Sequence, residues 1–84
     1  MKIKYFPECS IDLIAIEPWA ETINVEKPGQ IDIVIPDSEL SRMITARHDQ
    51  FVEVSVDDRT LNLGIAAYAF DIVVDGSRRY SFSF

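Results

Sequence analysis

Short segments in which apolar and polar residues alternate recur along this chain, and they limit it to a fold built mainly of β-strands. The clearest segment is residues 30–35, where three isoleucines alternate with Asp32 and Val34. Side chains on a strand point alternately to its two faces, so this pattern places the three isoleucines on one face. About seven short strands of this kind predict an all-β domain, either a small antiparallel β-sandwich or a closed barrel.

The other predicted strands differ in how they are covered. Residues 10–17 are almost continuously apolar, which is typical of a strand covered on both faces. The remaining strands show alternation suited to one buried face, and they cover residues 3–6, 22–26, 50–56, 61–65, 68–72 and 80–84.

One short helix is predicted over residues 38–46, after the strand-breaking Pro36. Apolar residues in this segment recur at i, i+3 and i+4, and Asp37 is placed to cap the N-terminus of the helix. A strand over the same residues is the alternative, and it would bury Arg42. Earlier in the chain, Lys27-Pro28-Gly29-Gln30 fits a type II turn with positive φ at Gly29.

Parity, that is, whether a loop has an odd or an even number of residues, can be predicted for the first hairpin. Directly opposed residues in an antiparallel pair share a face, so the loop must keep apolar residues opposite one another. Pairing Val56 with Leu61 also pairs Val54 with Leu63 and Val52 with Ile65, so that every opposed pair on this face is apolar. The connection at residues 57–60 is therefore expected to be an even loop of two or four residues.

Parity leads to the opposite prediction for the last hairpin. Asp75-Gly76 is typical of a two-residue type I′ turn, but a regular ladder closed by that turn would oppose Phe70 to Ser81. A three-residue loop, Val74-Asp75-Gly76, would instead pair Phe70 with Tyr80. Between the hairpins the inward-facing set changes from odd to even numbers, so residues 64–67 must contain a bulge, a bend or a break between strands. Strands that bend in this way often pass from one sheet of a sandwich to the other.

Length and composition indicate one domain over residues 1–84. With 84 residues and a single cysteine, Cys9, the chain needs a core that holds without an intramolecular disulfide. The N-terminal residues have no apolar signal core, and no segment approaches the roughly 18 apolar residues of a membrane span. A cytoplasmic protein is expected.

The charge is unevenly distributed. The net charge is −6, and residues 8–39 contain eight acidic residues against Lys27 alone. Nucleic acids and anionic membranes are bound through positive charge, so neither is an expected partner. An acidic surface would instead steer a basic protein partner toward this half of the chain.

No arrangement of residues predicts catalysis or a bound cofactor. One histidine, His48, and one cysteine cannot supply the usual ligands of a transition metal, and the three glycines are too scattered for a phosphate-binding loop. Asp12 interrupts an apolar run, so a carboxylate-based enzyme using Asp12, Glu17 or Glu21 stays as an alternative. The simpler interpretation of Asp12 is that its side chain faces solvent or caps a neighbouring backbone group.

The segment Ile16-Glu17-Pro18-Trp19-Ala20-Glu21, followed by Val-Glu-Lys-Pro-Gly at residues 25–29 and an alternating strand, resembles small bacterial β-rich proteins of unknown function. The resemblance covers residues 14–35. It implies a bacterial setting and a compact β fold, and it brings no function or site residues with it.

Aromatic residues supply the remaining hypotheses about function. Trp19 is expected to cover the end of the core, or else to be a partly exposed anchor for a partner. The apolar strand at residues 80–84 is expected either to lie centrally in its sheet or to pair across a homodimer.

The sequence favours a non-enzymatic domain that binds a protein partner or a second copy of itself. Its alternatives are a small-molecule-binding β-barrel and the carboxylate enzyme. The expected partner-binding residues are Trp19, Glu17, Glu21, Asp32, Tyr80, Phe82 and Phe84.

Overall fold

The structure is a computed structural model that describes residues 1–41 and 52–83. Eight β-strands and one short helix follow one another along these residues. Their bounds are β1 Lys2–Tyr5, β2 Leu13–Glu17, β3 Glu21–Asn24, β4 Ile31–Val34, α1 Asp37–Ser41, β5 Val52–Asp57, β6 Thr60–Ile65, β7 Ala69–Val74 and β8 Ser77–Ser83.

The strands form two four-stranded sheets that pack against each other, which confirms the all-β prediction. The first sheet has the strand order β1-β4-β7-β8, and the second has the order β3-β2-β6-β5. Neighbouring strands are antiparallel except for β2 and β6, which run parallel. The architecture is therefore a sandwich, and each of its eight described strands overlaps one of the segments predicted above, whose number was put at about seven.

Alternation along the strands builds the core between the sheets. In β4 and the residue after it, Ile31, Ile33 and Ile35 are all buried, as predicted. Phe70 is the bulkiest fully buried side chain of the described residues, and the core also contains aliphatic residues from strands of both sheets and from the segments that join them. These are Ile11, Ile14, Ile16, Ile23, Val25, Leu61, Leu63, Ile65, Ala67, Ile72 and Val74.

The hairpin of β5 and β6 has the predicted even loop. Val56 lies opposite Leu61 and Val52 lies opposite Ile65, while Asp57 and Thr60 close a two-residue loop. Both loop residues, Asp58 and Arg59, have positive φ, at 48° and 65°. This is the conformation of a type I′ turn, whose twist matches that of the two strands.

The three-residue loop predicted for the last hairpin is wrong. Val74 and Ser77 close a two-residue loop, and Asp75 and Gly76 have φ values of 49° and 85°. The aromatic residues still share a face, because the register shifts between Val73 and Ile72. A β-bulge inside the strand supplies the extra residue that parity requires, and the loop does not.

The change from odd to even numbering occurs where the chain crosses between sheets, as expected. β6 belongs to the second sheet and β7 to the first, and residues 66–68 join them. The backbone N–H of Tyr68 donates a hydrogen bond to the buried carboxylate of Glu39, so α1 is tied to this crossing. The crossing, α1 and the β2–β3 connection lie at one end of the sandwich, here called the helix end.

Several finer predictions need correction. The type II turn is wrong, because positive φ occurs at Lys27 (43°) and not at Gly29. The strand expected at residues 10–17 begins at Leu13, and it is not covered on both faces, because its outward residues Leu13 and Ala15 are half-buried and Glu17 is exposed. The helix is confirmed at residues 38–41, while residues 42–46 of the prediction lie outside the described residues.

Of the two alternatives for the last strand, a central position is wrong among the described strands, and pairing across a homodimer stays a prediction. β8 pairs with β7 alone among the described strands and forms one edge of the first sheet. Arg79, which the bulge leaves without a residue opposite it, donates a hydrogen bond from Nη2 to the backbone oxygen of Asn24 in β3. The edge strands β8 and β3 of the two sheets therefore lie next to each other.

Candidate interaction surface

Trp19 covers the helix end of the core, as predicted. Its indole Nε1 donates a 3.0 Å hydrogen bond to the backbone oxygen of Ile65. Its ring centroid lies 4.4 Å from that of Phe82 and 6.1 Å from that of Tyr68, which meets it edge to face. The side chain is half-buried against the core, so Trp19 joins the β2–β3 connection to both sheets.

The aromatic residues of β8 continue this cluster into the core. Phe82 stacks on Phe70 at 5.3 Å between ring centroids, and Tyr80 lies 6.1 Å from Phe70. The bulge makes the cluster possible, because it returns Tyr80 and Phe82 to the inner face of the sheet. Tyr68 adds an exposed ring at the rim, with 47% of its surface accessible. Its alternation with Phe70 was visible in the sequence, but its exposure depended on the crossing between sheets.

A groove lies beside this cluster on the outer face of the second sheet. Glu17 of β2 and Glu53 of β5 both lie opposite Gly64 of β6, so the three residues form one row across the sheet. Gly64 has no side chain, and the resulting depression has a volume of about 330 Å³. The remaining residues of this lining, Pro18, Ile65 and Ala66, make it mostly apolar. We call it the Gly64 groove.

The Gly64 groove combines an apolar floor with two exposed carboxylates. Two inter-strand spacings separate Glu17 from Glu53, which places their Cα atoms about 10 Å apart. No basic residue is among the lining residues Glu17, Pro18, Glu53, Gly64, Ile65 and Ala66. A cation that enters between the two carboxylates would gain attraction from both sides, and an anion would be repelled. The arrangement suits a cationic group attached to an apolar stem.

Glu53 and Gly64 were not predicted as site residues. Each has an ordinary place in the pattern of its own strand. Glu53 is a polar residue on the outer face of β5, and Gly64 lies between the buried Leu63 and Ile65 of β6. Their meeting with Glu17 depends on the parallel pairing of β2 and β6, two strands far apart in the sequence. No local signal could have identified it.

The negative charge of Glu21 acts on Tyr80 on the side where β3 and β8 meet. Burial raises the pKa of the Tyr80 phenol above its ordinary value of 10.0, and the negative charge of Glu21 raises it further. Both effects favour the neutral phenol, because burial removes water from the charged form and like charges repel.

The remaining predicted partner-binding residues are not part of this surface. Asp32 lies on the outer face of the first sheet and is only 7% exposed. One of its carboxylate oxygens accepts a 2.8 Å hydrogen bond from Nε2 of Gln30, so its role here is to satisfy local polar groups. Phe84 lies outside the described residues. The structure therefore brings together Trp19, Glu17, Phe82, Tyr80 and Glu21 along one side of the helix end.

Asp12 lies at the opposite end of the sandwich, here called the turn end. Its exposed carboxylate is 3.4 Å from Nε of Arg59, and its backbone N–H donates to the backbone oxygen of the same residue. This agrees with a solvent-facing residue that fastens a neighbouring loop. Asp12 does not converge with Glu17 or Glu21, which lie toward the helix end.

A second depression at the turn end contains Cys9. Its volume is about 280 Å³, and its other lining residues are Pro7, Glu8, Ser10, Lys27 and Pro28. Cys9 is a free, exposed thiol. Within residues 1–41 and 52–83, no three potential metal ligands of the His, Cys, Asp or Glu type are grouped. His48 lies outside these ranges.

Comparison with known proteins adds no further information about function. Among the described residues, no helix is both long enough and apolar enough to cross a membrane. The resemblance to bacterial β-rich proteins stays a prediction. Searches against protein-family models, curated proteins and solved structures each find no match for this chain.

Proposed function

We propose that this domain is a non-enzymatic protein-interaction module that binds a basic side chain of a protein partner in the Gly64 groove. One observation carries the proposal: Glu17 and Glu53 flank Gly64 from its two neighbouring strands, above an apolar floor. Lysine and arginine bury an apolar stem and keep a charged head accessible, which matches this combination of surfaces.

The surroundings of the groove support a basic partner. The exposed ring of Tyr68 and the half-buried ring of Trp19 lie close by, and aromatic faces attract cations in addition to apolar groups. Tryptophan and tyrosine are also common among residues that dominate binding energy at protein interfaces. The net charge of −6 would raise the rate of encounter with a positively charged partner.

The alternatives have less support. A small-molecule barrel would need an interior cavity, whereas the space between the sheets is packed with Phe70 and branched aliphatic side chains. A carboxylate enzyme would need its acidic groups within reach of one substrate. Asp12 is at the turn end, and no buried acid lines the Gly64 groove.

The experiment is an affinity capture in which wild-type protein and two charge variants serve as bait in lysate of the source organism. Glu17→Gln with Glu53→Gln neutralises the groove. Glu8→Gln with Glu26→Gln makes the same change of net charge at two exposed residues near the turn end. We expect a partner with an exposed basic segment to be captured by wild type and by the Glu8/Glu26 variant, and to be lost from the groove variant.

A change of shape in the groove gives an independent test. A Cβ atom on Gly64 would lie 3.6 Å from Cβ of Glu53, an ordinary contact distance. Gly64→Ala is therefore expected to fold normally while it fills part of the groove floor, and it should weaken capture without changing charge. If the groove variants and wild type capture the same partner equally well, the proposal is wrong.

A further inference from the structure

The outer edge of β5 differs from the other sheet edges of this domain. β1 has four residues and carries Lys2 and Lys4 on its outer face. β3 also has four residues, and Arg79 binds the backbone oxygen of Asn24 at its end. β8 is interrupted by its bulge. Short length, lysines and bulges all protect an edge from pairing with another chain.

β5 has none of these protective features. It is a six-residue strand in regular register with β6, without proline, lysine or bulge, and no described strand pairs with its outer edge. Its inner-face residues Val54 and Val56 are 40% and 39% exposed, although they lie directly opposite the buried Leu63 and Leu61. The edge therefore presents apolar side chains that the first sheet does not cover.

The register also shows which backbone groups face outward. The two-residue loop is closed by Asp57 and Thr60, and such closing residues exchange hydrogen bonds with each other. Hydrogen-bonded and non-hydrogen-bonded pairs alternate along an antiparallel ladder. The N–H and C=O groups of Val54 and Val56 thus point away from β6, on the same residues whose side chains are exposed.

The charges on the outer face select the kind of strand that could pair here. Glu53 and Asp57 alternate with the valines and are exposed, and Glu53 also borders the Gly64 groove. We propose that β5 binds an extended segment of a protein partner in which apolar and basic residues alternate. The partner's apolar residues would pack on Val54 and Val56, and its basic residues would face Glu53 and Asp57.

This inference rests on the proposed function and adds the mode of binding: strand addition, in which backbone hydrogen bonds supply affinity and alternate side chains supply specificity. A second copy of β5 is a poorer occupant. Two-fold antiparallel pairing centred on Ser55 would place Glu53 opposite Asp57 of the other copy, and directly opposed like charges destabilise a sheet. Pairing centred on Val54 would place Glu53 opposite Ser55 but diagonally next to Glu53 and Asp57 of the other copy, which are also like charges. The net charge of −6 per chain adds to this repulsion.

The test uses a synthetic peptide of alternating lysine and valine, about seven residues long, and the full-length protein. Two control peptides replace lysine by glutamate or valine by proline; the second keeps the charge but cannot form a strand. We expect only the lysine–valine peptide to bind, with slower hydrogen exchange at the amides of Val54 and Val56. Affinity should decrease with added salt.

Two variants separate the backbone and side-chain contributions. Val54→Pro removes one outward N–H. Val54→Thr with Val56→Thr keeps β-branched side chains, which favour a strand, but removes apolar contact. Each should weaken peptide binding by about tenfold, the effect expected for loss of one or two good contacts. Glu53→Gln with Asp57→Asn should reduce both the affinity and its dependence on salt.

The outcomes distinguish this inference from the proposed function. Unchanged peptide affinity in the threonine variant, exchange protection confined to β1 or β8, or dimerisation through β5 without peptide would each overturn strand addition. If Glu17→Gln abolishes capture of the native partner while the threonine variant captures it normally, the groove proposal stands and the strand proposal is wrong. If the Glu17→Gln variant captures the native partner normally while the threonine variant loses it, the strand proposal stands and the groove proposal is wrong.

Discussion

Arg79 in β8 donates a 2.7 Å hydrogen bond to the backbone oxygen of Asn24 in β3, and so connects the edge strands of the two sheets. The bond depends on the bulge, since Val73 lies opposite Arg78 and Ile72 lies opposite Tyr80, with no residue facing Arg79. One extra residue therefore does two things: it sets the register of the aromatic side chains, and it places a guanidinium at the junction of the sheets.

Deleting one of the two adjacent arginines, Arg78 or Arg79, should remove the bulge without changing the aromatic register. The shortened strand would still place Tyr80 opposite Ile72 and Phe82 opposite Phe70. We expect a folded protein that is about 1 kcal/mol less stable, mainly through loss of the bond to Asn24. Urea denaturation measures the stability, and cross-strand NMR contacts between Ile72 and Tyr80 report the register.

Deleting Ser81 is the matched control. It also shortens β8 by one residue, but it moves Phe82 to the outer face of the sheet. Loss of a buried aromatic contact costs about 3 kcal/mol or more, so this variant should be far less stable or fail to fold. Equal stability of the two deletion variants would contradict the register described for β8.

Stability should fall as the pH rises above 10.0 because of Tyr80. Its pKa in the folded protein is raised by burial and, to a lesser extent, by Glu21. The folded state thus keeps the phenol proton at a pH where the unfolded chain has begun to lose it, and the free energy of unfolding decreases between the two pKa values. Well below pH 10.0, where the phenol is protonated in both states, this residue contributes no pH dependence.

Denaturant unfolding at a series of alkaline pH values measures this effect. Tyr80→Phe has no proton to lose and should show a smaller decrease in stability than wild type. Glu21→Gln should reduce the decrease only in part, because burial is the larger cause of the raised pKa. If wild type and Tyr80→Phe lose stability equally, Tyr80 is not the group responsible.

Asp75 should stabilise the turn end through the β3–β4 connection. Its Oδ1 accepts hydrogen bonds from the backbone N–H groups of Gly29 and Gln30, each 2.9 Å long. We expect Asp75→Ala to lower the free energy of unfolding by about 1–2 kcal/mol. Asp75→Asn should cost less, because asparagine keeps an acceptor oxygen and tolerates the positive φ of 49°.

A double-mutant cycle with Gly29→Ala tests the contact itself. A Cβ on Gly29 would lie 3.2 Å from Oδ1 of Asp75, a distance at which the carboxylate must shift. Gly29→Ala should therefore destabilise wild type more than it destabilises the Asp75→Ala variant. Additive effects of the two substitutions would argue against the contact.

Trp19 should contribute to stability by both its hydrogen bond and its packing. Trp19→Phe keeps an aromatic ring near Phe82 but removes the donor to the Ile65 carbonyl, and it should cost about 1 kcal/mol. Trp19→Ala also removes the ring contact and should cost about 3 kcal/mol. Thermal or chemical unfolding followed by circular dichroism compares them. Equal stability of Trp19→Phe and wild type would assign the whole contribution to packing.

Alternation predicted most of the strands because burial of one sheet face imposes a period of two on the sequence. The same logic predicted the even loop at residues 57–60, where both strands are regular and the apolar residues are opposed without interruption. It also predicted an irregularity at residues 64–67, because a change from odd to even inward positions cannot occur within one regular strand, and the structure shows that the chain changes sheet there.

Parity could not locate the extra residue in the last hairpin. A three-residue loop and a bulge each add one residue, and both place Tyr80 and Phe82 on the same face as Phe70. The Asp75-Gly76 dipeptide correctly indicates the observed two-residue turn, and the bulge beside Val73 keeps the aromatic residues on one face. The turn dipeptide and the aromatic alternation were each correct. Neither pattern could show whether the extra residue lies in the loop or in a bulge.

By itself, the sequence determined that this chain forms short strands with one buried face and an interruption after β6, because those features follow from the local order of apolar and polar residues. Only the tertiary structure decided where the odd residue of the last hairpin lies. Asp75 in a two-residue turn reaches Gly29 and Gln30, and Arg79 in the bulge reaches Asn24. The Gly64 groove and the open edge of β5 depend in the same way on strands brought together from distant parts of the chain. Such contacts stabilise one of two arrangements that place the same residues on the same face, and they exist only after the sheets have packed.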